Sequence, residues 1–230
     1  MDRPHADAAV SGTRTGLRSG GAIAAAGIGA GLLCNYWVLE GLLAERSDVA
    51  GSWISDLATR SEATGWRFVA LAVLSGLAVA AFALLLRPGL GALSRATRRG
   101  TLALFAAGAL AALAGAAPLS CPEGLEASCS LSYDALDLVH STATLAESAA
   151  TALAFGLLGF GLLAVPRRRA VGRATLALGG TWLVLTLLTA LAYPSGDVDS
   201  VKGLLQRAAQ LLFGFWLALL GTTAGSPRSD

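Results

Sequence analysis

Apolar residues in this chain come in blocks of about 18–25, broken by short segments rich in Arg, Pro, Gly or acids. Blocks of that length match the roughly 30 Å hydrocarbon core of a bilayer, and they show neither period-2 alternation nor a narrow amphipathic stripe. Six are countable, at about 21–43, 66–86, 101–118, 137–164, 173–193 and 204–221. Only 14% of the 230 residues are charged, against roughly a quarter in soluble domains. The pattern predicts an all-α polytopic transmembrane bundle of about six helices, one domain over 21–221. Residues 1–20 read as a disordered cytosolic tail and 222–230 as a second short tail. The first block is too long for a signal-peptide core, and Asn35, Tyr36, Trp37 and Glu40 do not resemble a cleavage site.

Charge sets the orientation. In a six-span arrangement twelve of the seventeen basic residues fall on one side, among them Arg87, Arg95, Arg98, Arg99, Arg167, Arg168, Arg169 and Arg173. The positive-inside rule makes that side cytoplasmic, with both termini inside. Twelve of the fifteen carboxylates lie in the opposite loops, 44–65 and 119–136 among them, or in the outer parts of the spans. Trp37, Trp53, Trp66, Tyr133 and Tyr193 fall near that outer boundary, as an aromatic belt does. The resulting location is a cell membrane, multi-pass, with membrane lipids as the surrounding partner. Cys121 and Cys129 share the outer 119–136 loop, and two cysteines eight apart in an oxidising compartment point to a disulfide. A metal pair is the alternative, against which stand the spacing and the lack of a second Cys/His pair. Cys34 reads as a small packing residue. The runs GAIAAAGIGAG and LFAAGALAALAGAA bring helices close, within the chain or at a dimer face.

Ionisable groups inside spans are costly and default to functional candidates. The fourth span carries Asp137, His140, Ser141, Thr144, Glu147, Ser148 and Thr151, whose offsets of 3, 4 and 7 share one helical face. By helix rise Glu147 lies roughly 15 Å below Asp137, so the stripe faces a wet interior or pins neighbouring helices. The first span ends in Asn35, Tyr36 and Glu40; Glu40 either joins the site or snorkels to the interface. The last span begins with Lys202, Gln206, Arg207 and Gln210. Arg207 either pairs with Asp56 or Glu40, or holds a phosphate or carboxylate head group. The three clusters converge on the outer half of the bundle. They compose a polar pocket floored by Glu147, with walls from spans one, four and six. GSWISDLATR (51–60) forms its rim, with Trp53, Ile54 and Leu57 seated in the lipid interface and Ser52, Ser55 and Asp56 turned to the pocket.

Much chemistry is excluded. HExxH, a Cys/His quartet, a P-loop and GxSxG are all missing, and His140 has no second intramembrane histidine to share a zinc or a haem. The Arg loops are accounted for by topology, so nucleic acid is not a partner, and no cofactor is called for. Acid–base chemistry in a low-dielectric cavity remains open, with Asp56, Glu147, His140, Glu40 and Asp137 as catalytic candidates. Ser52, Ser55, Tyr36, Gln206, Arg207 and Gln210 are the candidates for substrate binding.

WISDLATR, PLSCPEGLEASC, LVHSTATL and GLLQRAAQLLFGFW, in that order, resemble a family of prokaryotic membrane proteins defined as domain of unknown function 998. The matching positions are Ser52, Ser55, Asp56, Leu57, Cys121, Cys129, His140, Gln206 and Arg207. The resemblance implies six or so helices across nearly the whole chain, in a bacterial plasma membrane, and implies no activity. A weaker analogy links the chain to small integral-membrane terpene cyclases, which protonate a polyprenyl alkene or epoxide with buried carboxylates. The missing seventh span and the outward pocket count against it. Two readings follow. One is a membrane-embedded cyclase, isomerase or lipid-modifying enzyme acting on a lipid or isoprenoid, with Asp56 or Glu147 as proton donor, His140 as partner and Arg207 orienting. The other is a non-catalytic protein that binds a lipid or small molecule, or serves as a partner subunit. A transporter is a third, disfavoured because polar groups are scarce in the cytoplasmic half.

Overall fold

The computed structural model describes residues 6–44, 48–122, 134–192 and 201–224. Among the described residues seven α-helices follow one another: α1 (Ala6–Cys34), α2 (Glu40–Leu43), α3 (Gly65–Leu86), α4 (Arg95–Ala116), α5 (Ala135–Leu163), α6 (Arg169–Ala192) and α7 (Lys202–Ala224). Single 3-10 turns sit at Tyr36–Leu39, Ile54–Ala58 and Pro166–Arg168. No strand occurs among the described residues. The fold is all-α, and α3, α4, α5, α6 and α7 are each long and apolar enough to cross a membrane. The first span differs from the expectation of one helix over 21–43. Residues 20–34 and 36–43 together are long enough to cross, but they meet at an angle of 54°. Helical backbone begins at Ala6, inside the stretch that composition reads as a tail.

The break has a local cause. Asn35 leaves helical geometry, at φ −101° and ψ 31°. Its side-chain amide then donates to the Gly31 carbonyl at 2.8 Å. Gln210 reaches across from α7 and donates to the Cys34 carbonyl at 3.1 Å. A helix can end inside a membrane only where neighbouring side chains take up the carbonyls it abandons, and here Asn35 and Gln210 do so.

Helix starts are written in short polar motifs. Ser94 and Thr97 form a capping box at α4, each hydroxyl accepting the other's backbone N–H, at 3.1 and 3.0 Å. Asp134 and Asp137 form the same device at α5. Asp134 Oδ1 accepts from the N–H groups of Leu136 and Asp137, and Asp137 Oδ2 accepts from the Asp134 N–H at 2.9 Å.

The long helices form a ring in the order α1, α3, α4, α5, α6, α7, and α7 packs back on α1. In lipid there is little hydrophobic drive to bring helices together, so close contact and polar pairs set the arrangement. Glycines supply the contact at the α1–α7 crossing, where Gly27 and Gly31 face Gly221 and Gly214 with no room for a Cβ on either side. One end of the ring carries residues 48–64, 117–122 and Asp134 and is called the acidic end below. In the opposite half the interior is filled by aromatic and aliphatic side chains. There Phe155 stacks on Trp216 with ring centroids 3.9 Å apart, flanked by Phe213 and Trp182.

Candidate functional site

The 51–60 segment is built into the bundle and does not float over it. Its 3-10 turn has about three residues per circuit, so Ile54 and Leu57 fall on one side. Both face inward, 7% and 5% exposed, and Leu57 packs with Ala58 on Phe68. This corrects the expectation that they seat the segment in lipid. The start of α7 holds the segment from beneath. Gly203 N–H donates to the Ala50 carbonyl at 2.7 Å, the Ile54 N–H donates to Gln206 Oε1 at 2.7 Å, and Lys202 Nζ lies over the Trp53 ring at 5.5 Å. A Cβ on Gly203 would collide with the Ser52 and Ala50 carbonyls, so glycine there is what lets the segment seat. On its far side the Arg60 N–H donates to the Leu119 carbonyl at 2.9 Å.

Several expected site residues are absorbed by this scaffold. Arg207 is 2% exposed and Glu40 4%. They form a two-pronged pair, Nε to Oε1 at 3.1 Å and Nη2 to Oε2 at 2.7 Å. The third guanidinium nitrogen donates to the Ser52 carbonyl at 2.8 Å, and Trp37 stacks 5.7 Å from the guanidinium carbon. Of the alternatives for Arg207, the geometry selects Glu40. Ser52 Oγ donates to the Asp48 carbonyl at 2.6 Å. Asp56 turns back on its own turn, and its Oδ2 accepts from the Trp53 N–H at 2.7 Å.

Asp137 accepts from both the N–H and the hydroxyl of Ser120, at 2.7 and 2.9 Å, besides capping α5. Arg60 bridges to Asp134 at 2.5 Å and approaches Asp137 at 3.7 Å. The Arg60 hydrogen bond, helped by the Asp137 N–H, holds the Asp134 carboxyl below its ordinary range. Together these contacts stitch the 119–122 segment, α5 and the 51–60 segment into one unit. Asp137, Asp56, Glu40, Arg207 and Ser52 are therefore scaffold groups and do not line the cavity beneath.

That cavity measures about 140 Å3. Its polar lining comes from Tyr36, Ser55, Ser75, His140, Thr144, Glu147, Gln206 and Gln210, and its apolar lining includes Ile54, Ala72, Ala111 and Ala114. Compared with the expected walls from spans one, four and six, α3 and α4 are additions, and α6 takes no part. On α5, His140, Thr144 and Glu147 share the inward face, whereas Ser141 is exposed on the outside. One turn beyond Glu147, the Thr151 hydroxyl is buried without a hydrogen-bond partner.

His140 Nδ1 lies 2.9 Å from the Ala114 carbonyl and 3.1 Å from the Ala117 carbonyl, at the end of α4. Carbonyls only accept, so Nδ1 carries the proton. Glu147 lies two turns further along, about 10 Å away by helix rise. Its carboxyl meets no hydrogen-bond partner among the described residues, and it is the one carboxylate in the cavity lining. A cluster of three or more metal-ligating side chains does not occur among the described residues.

Cys34 is buried, and Ser75 Oγ lies 3.4 Å from its sulfur. Cys129, Tyr133 and Tyr193 lie outside the described residues, so the expected Cys121–Cys129 pairing falls there too. Sequence reasoning missed Ser75 and Ser120. Ser75 carried a signal, as the one polar side chain amid the apolar LAVLSGLAV run of α3.

No curated protein and no solved structure matches the chain. Residues 24–223 match the family described as "Protein of unknown function (DUF998)", a stretch that takes in α3 to α6, nearly all of α7, the 51–60 segment and every described residue lining the cavity. The chain belongs to the DUF998 family.

Proposed function

We propose that this membrane protein binds a small polar molecule in the cavity floored by Glu147, reached from the acidic end. That end faces outward, as the basic loops require, in a bacterial plasma membrane. One observation carries the reading: a carboxylate without a hydrogen-bond partner among the described residues lines a cavity inside a closed helical ring. An ionisable group at that depth is expensive unless something compensates it, and a bound partner is the compensation. Arg207 and Asp137 leave the site for the scaffold, so recognition falls to Glu147, His140, Tyr36, Ser55, Gln206 and Gln210.

Size limits the ligand. A cavity of about 140 Å3 compares with the roughly 150 Å3 that holds one benzene, and lies below the roughly 300–1,000 Å3 of drug-sized sites. A space of that size suits a compact ligand better than an isoprenoid chain of ten or more carbons, which weighs against the cyclase reading. Acid–base catalysis on a compact substrate is the second reading. It is favoured by a carboxyl and an imidazole on one face of α5.

The test uses the full chain in lipid nanodiscs with a panel of polar solutes of about six to eight non-hydrogen atoms, a number set by the cavity comparison above. Wild type should gain thermal stability with at least one, and Ala111→Leu, which fills the space from α4, should lose that gain. Equal responses in wild type and Ala111→Leu across the panel would refute ligand binding here. Mass spectrometry of the same mixtures separates catalysis from binding, because only catalysis yields a product that Glu147→Gln fails to make.

A further inference from the structure

Resting on that binding reading, we infer that the ligand is a small organic monocation, an ammonium whose charge sits against Glu147. The signs of the groups around the cavity carry the argument. Among the described residues, the basic side chains of the rim and of the α7 start are engaged elsewhere: Arg207 with Glu40 and the Ser52 carbonyl, Arg60 with Asp134, and Lys202 over the Trp53 ring. None of the three lines the cavity.

Backbone dipoles point the same way. α1 ends at Cys34, two residues before the lining residue Tyr36, and α4 ends at Ala116, among the lining residues Ala114, Gly115 and Pro118. Helix C-termini carry partial negative charge. Two of them meet this cavity, and Cys34 and Tyr36 are within electrostatic reach of Glu147. Three helices start at this end: α3 has no side-chain cap, whereas α5 and α7 have their first amides engaged. Asp134 takes the first N–H groups of α5, and the Ala50 carbonyl takes that of Gly203 in α7.

His140 adds to the bias. Its Nδ1–H is spent on the α4 carbonyls and is not available to an anion in the cavity. The Tyr36 ring supplies an aromatic wall, braced by Phe68 at 6.4 Å between centroids, and aromatic faces attract cations. An anionic ligand would meet a carboxylate and two helix C-termini, with no lysine or arginine among the described lining residues to offset them.

Choline and its uncharged carbon isostere 3,3-dimethylbutan-1-ol have the same shape and differ in charge, and 3,3-dimethylbutanoate supplies the anion. Binding of each to the full chain in nanodiscs is measured calorimetrically. Choline should bind at least about tenfold more tightly than the alcohol, a ratio well within the reach of one ion pair in a dry site, and the butanoate should not bind. Glu147→Gln should bring choline and alcohol within about twofold of each other. Ala111→Leu should abolish both while leaving Glu147 in place, and size-exclusion profiles identify any variant that fails to fold. Alcohol binding as well as choline, or the same preference surviving in Glu147→Gln, overturns the cation assignment and leaves the cavity as a ligand site. Binding that Ala111→Leu does not reduce, or no binding of any probe by wild type, overturns both.

Discussion

Arg207 and Glu40 lie 167 positions apart in the chain and clasp each other through two parallel hydrogen bonds, at 3.1 and 2.7 Å, with both side chains buried. The clasp joins the bent end of the first span to the start of the last one. Its third nitrogen also fixes the 51–60 segment through the Ser52 carbonyl. One guanidinium thus sets the relation of three segments that meet above the cavity.

Breaking half of a buried pair strands the other charge, at about 3–5 kcal/mol. Arg207→Ala and Glu40→Ala should each lose stability on that scale in denaturant titrations of detergent-solubilised protein. Arg207→Met combined with Glu40→Leu should recover much of the loss, because neither charge is then left unpaired. A single variant within 1 kcal/mol of wild type would show that water reaches the pair.

Gly203 sits directly under the backbone of Ala50 and Ser52. Gly203→Leu should push the 51–60 segment off α7 and expose the cavity. In a Ser55→Cys background, labelling by a membrane-impermeant maleimide should then speed up by about tenfold, the change in accessible population that about 1.4 kcal/mol of lost segment docking produces. Unchanged labelling would mean that the segment is held without those contacts.

The Arg60–Asp134 pair gives a pH dependence whose sign follows from its shift. The Asp134 carboxyl is held below its ordinary value of 3.8. Its stabilising effect is therefore complete above about pH 4 and disappears as pH falls through the lowered value. The stability gap between wild type and Arg60→Gln, measured by thermal melts, should be present at pH 7 and close below about pH 3.8. High salt should shrink the gap at neutral pH as well, because both side chains are partly exposed.

Orientation is checked on whole cells. Ala63→Cys, at the acidic end, should label from outside with an impermeant maleimide, whereas Arg98→Cys should label only after lysis. The reverse pattern would invert the bundle and with it the side from which the cavity is reached.

The spans were legible because each is a long apolar block with a charged border, and the small-residue runs signalled close helix contact without saying that it would join α1 to α7 and α3 to α4. The bend at Asn35 was not legible. Its stability depends on Gln210, 175 residues away, which takes the Cys34 carbonyl. That bend also decides which carboxylate Arg207 meets, so the choice between Glu40 and Asp56 lay beyond sequence reasoning.

Other features were readable and went unread. D-A-L-D at 134–137 has the spacing of a capping box, which explains why Asp137 serves the start of α5 and not the cavity. The 3-10 turn reversed the facing of Ile54 and Leu57, because a period of three directs both to the same side. The shared face of His140, Thr144 and Glu147 followed from helical spacing alone. The empty space in front of it did not. Alanines on α3 and α4 create that space, and a sequence gives no volume.

The aromatic packing around Phe155 and Trp216 has an electrical consequence. A full membrane potential is worth about 2.3 kcal/mol per elementary charge per 100 mV, and it drops where the medium is least polarisable. In this bundle that is the half packed with aromatic and aliphatic side chains, so more of the field falls beyond Glu147, His140 and the glutamines than in front of them. A cation reaching Glu147 from the acidic end would therefore cross the smaller share of the field, and its occupancy would depend only weakly on voltage.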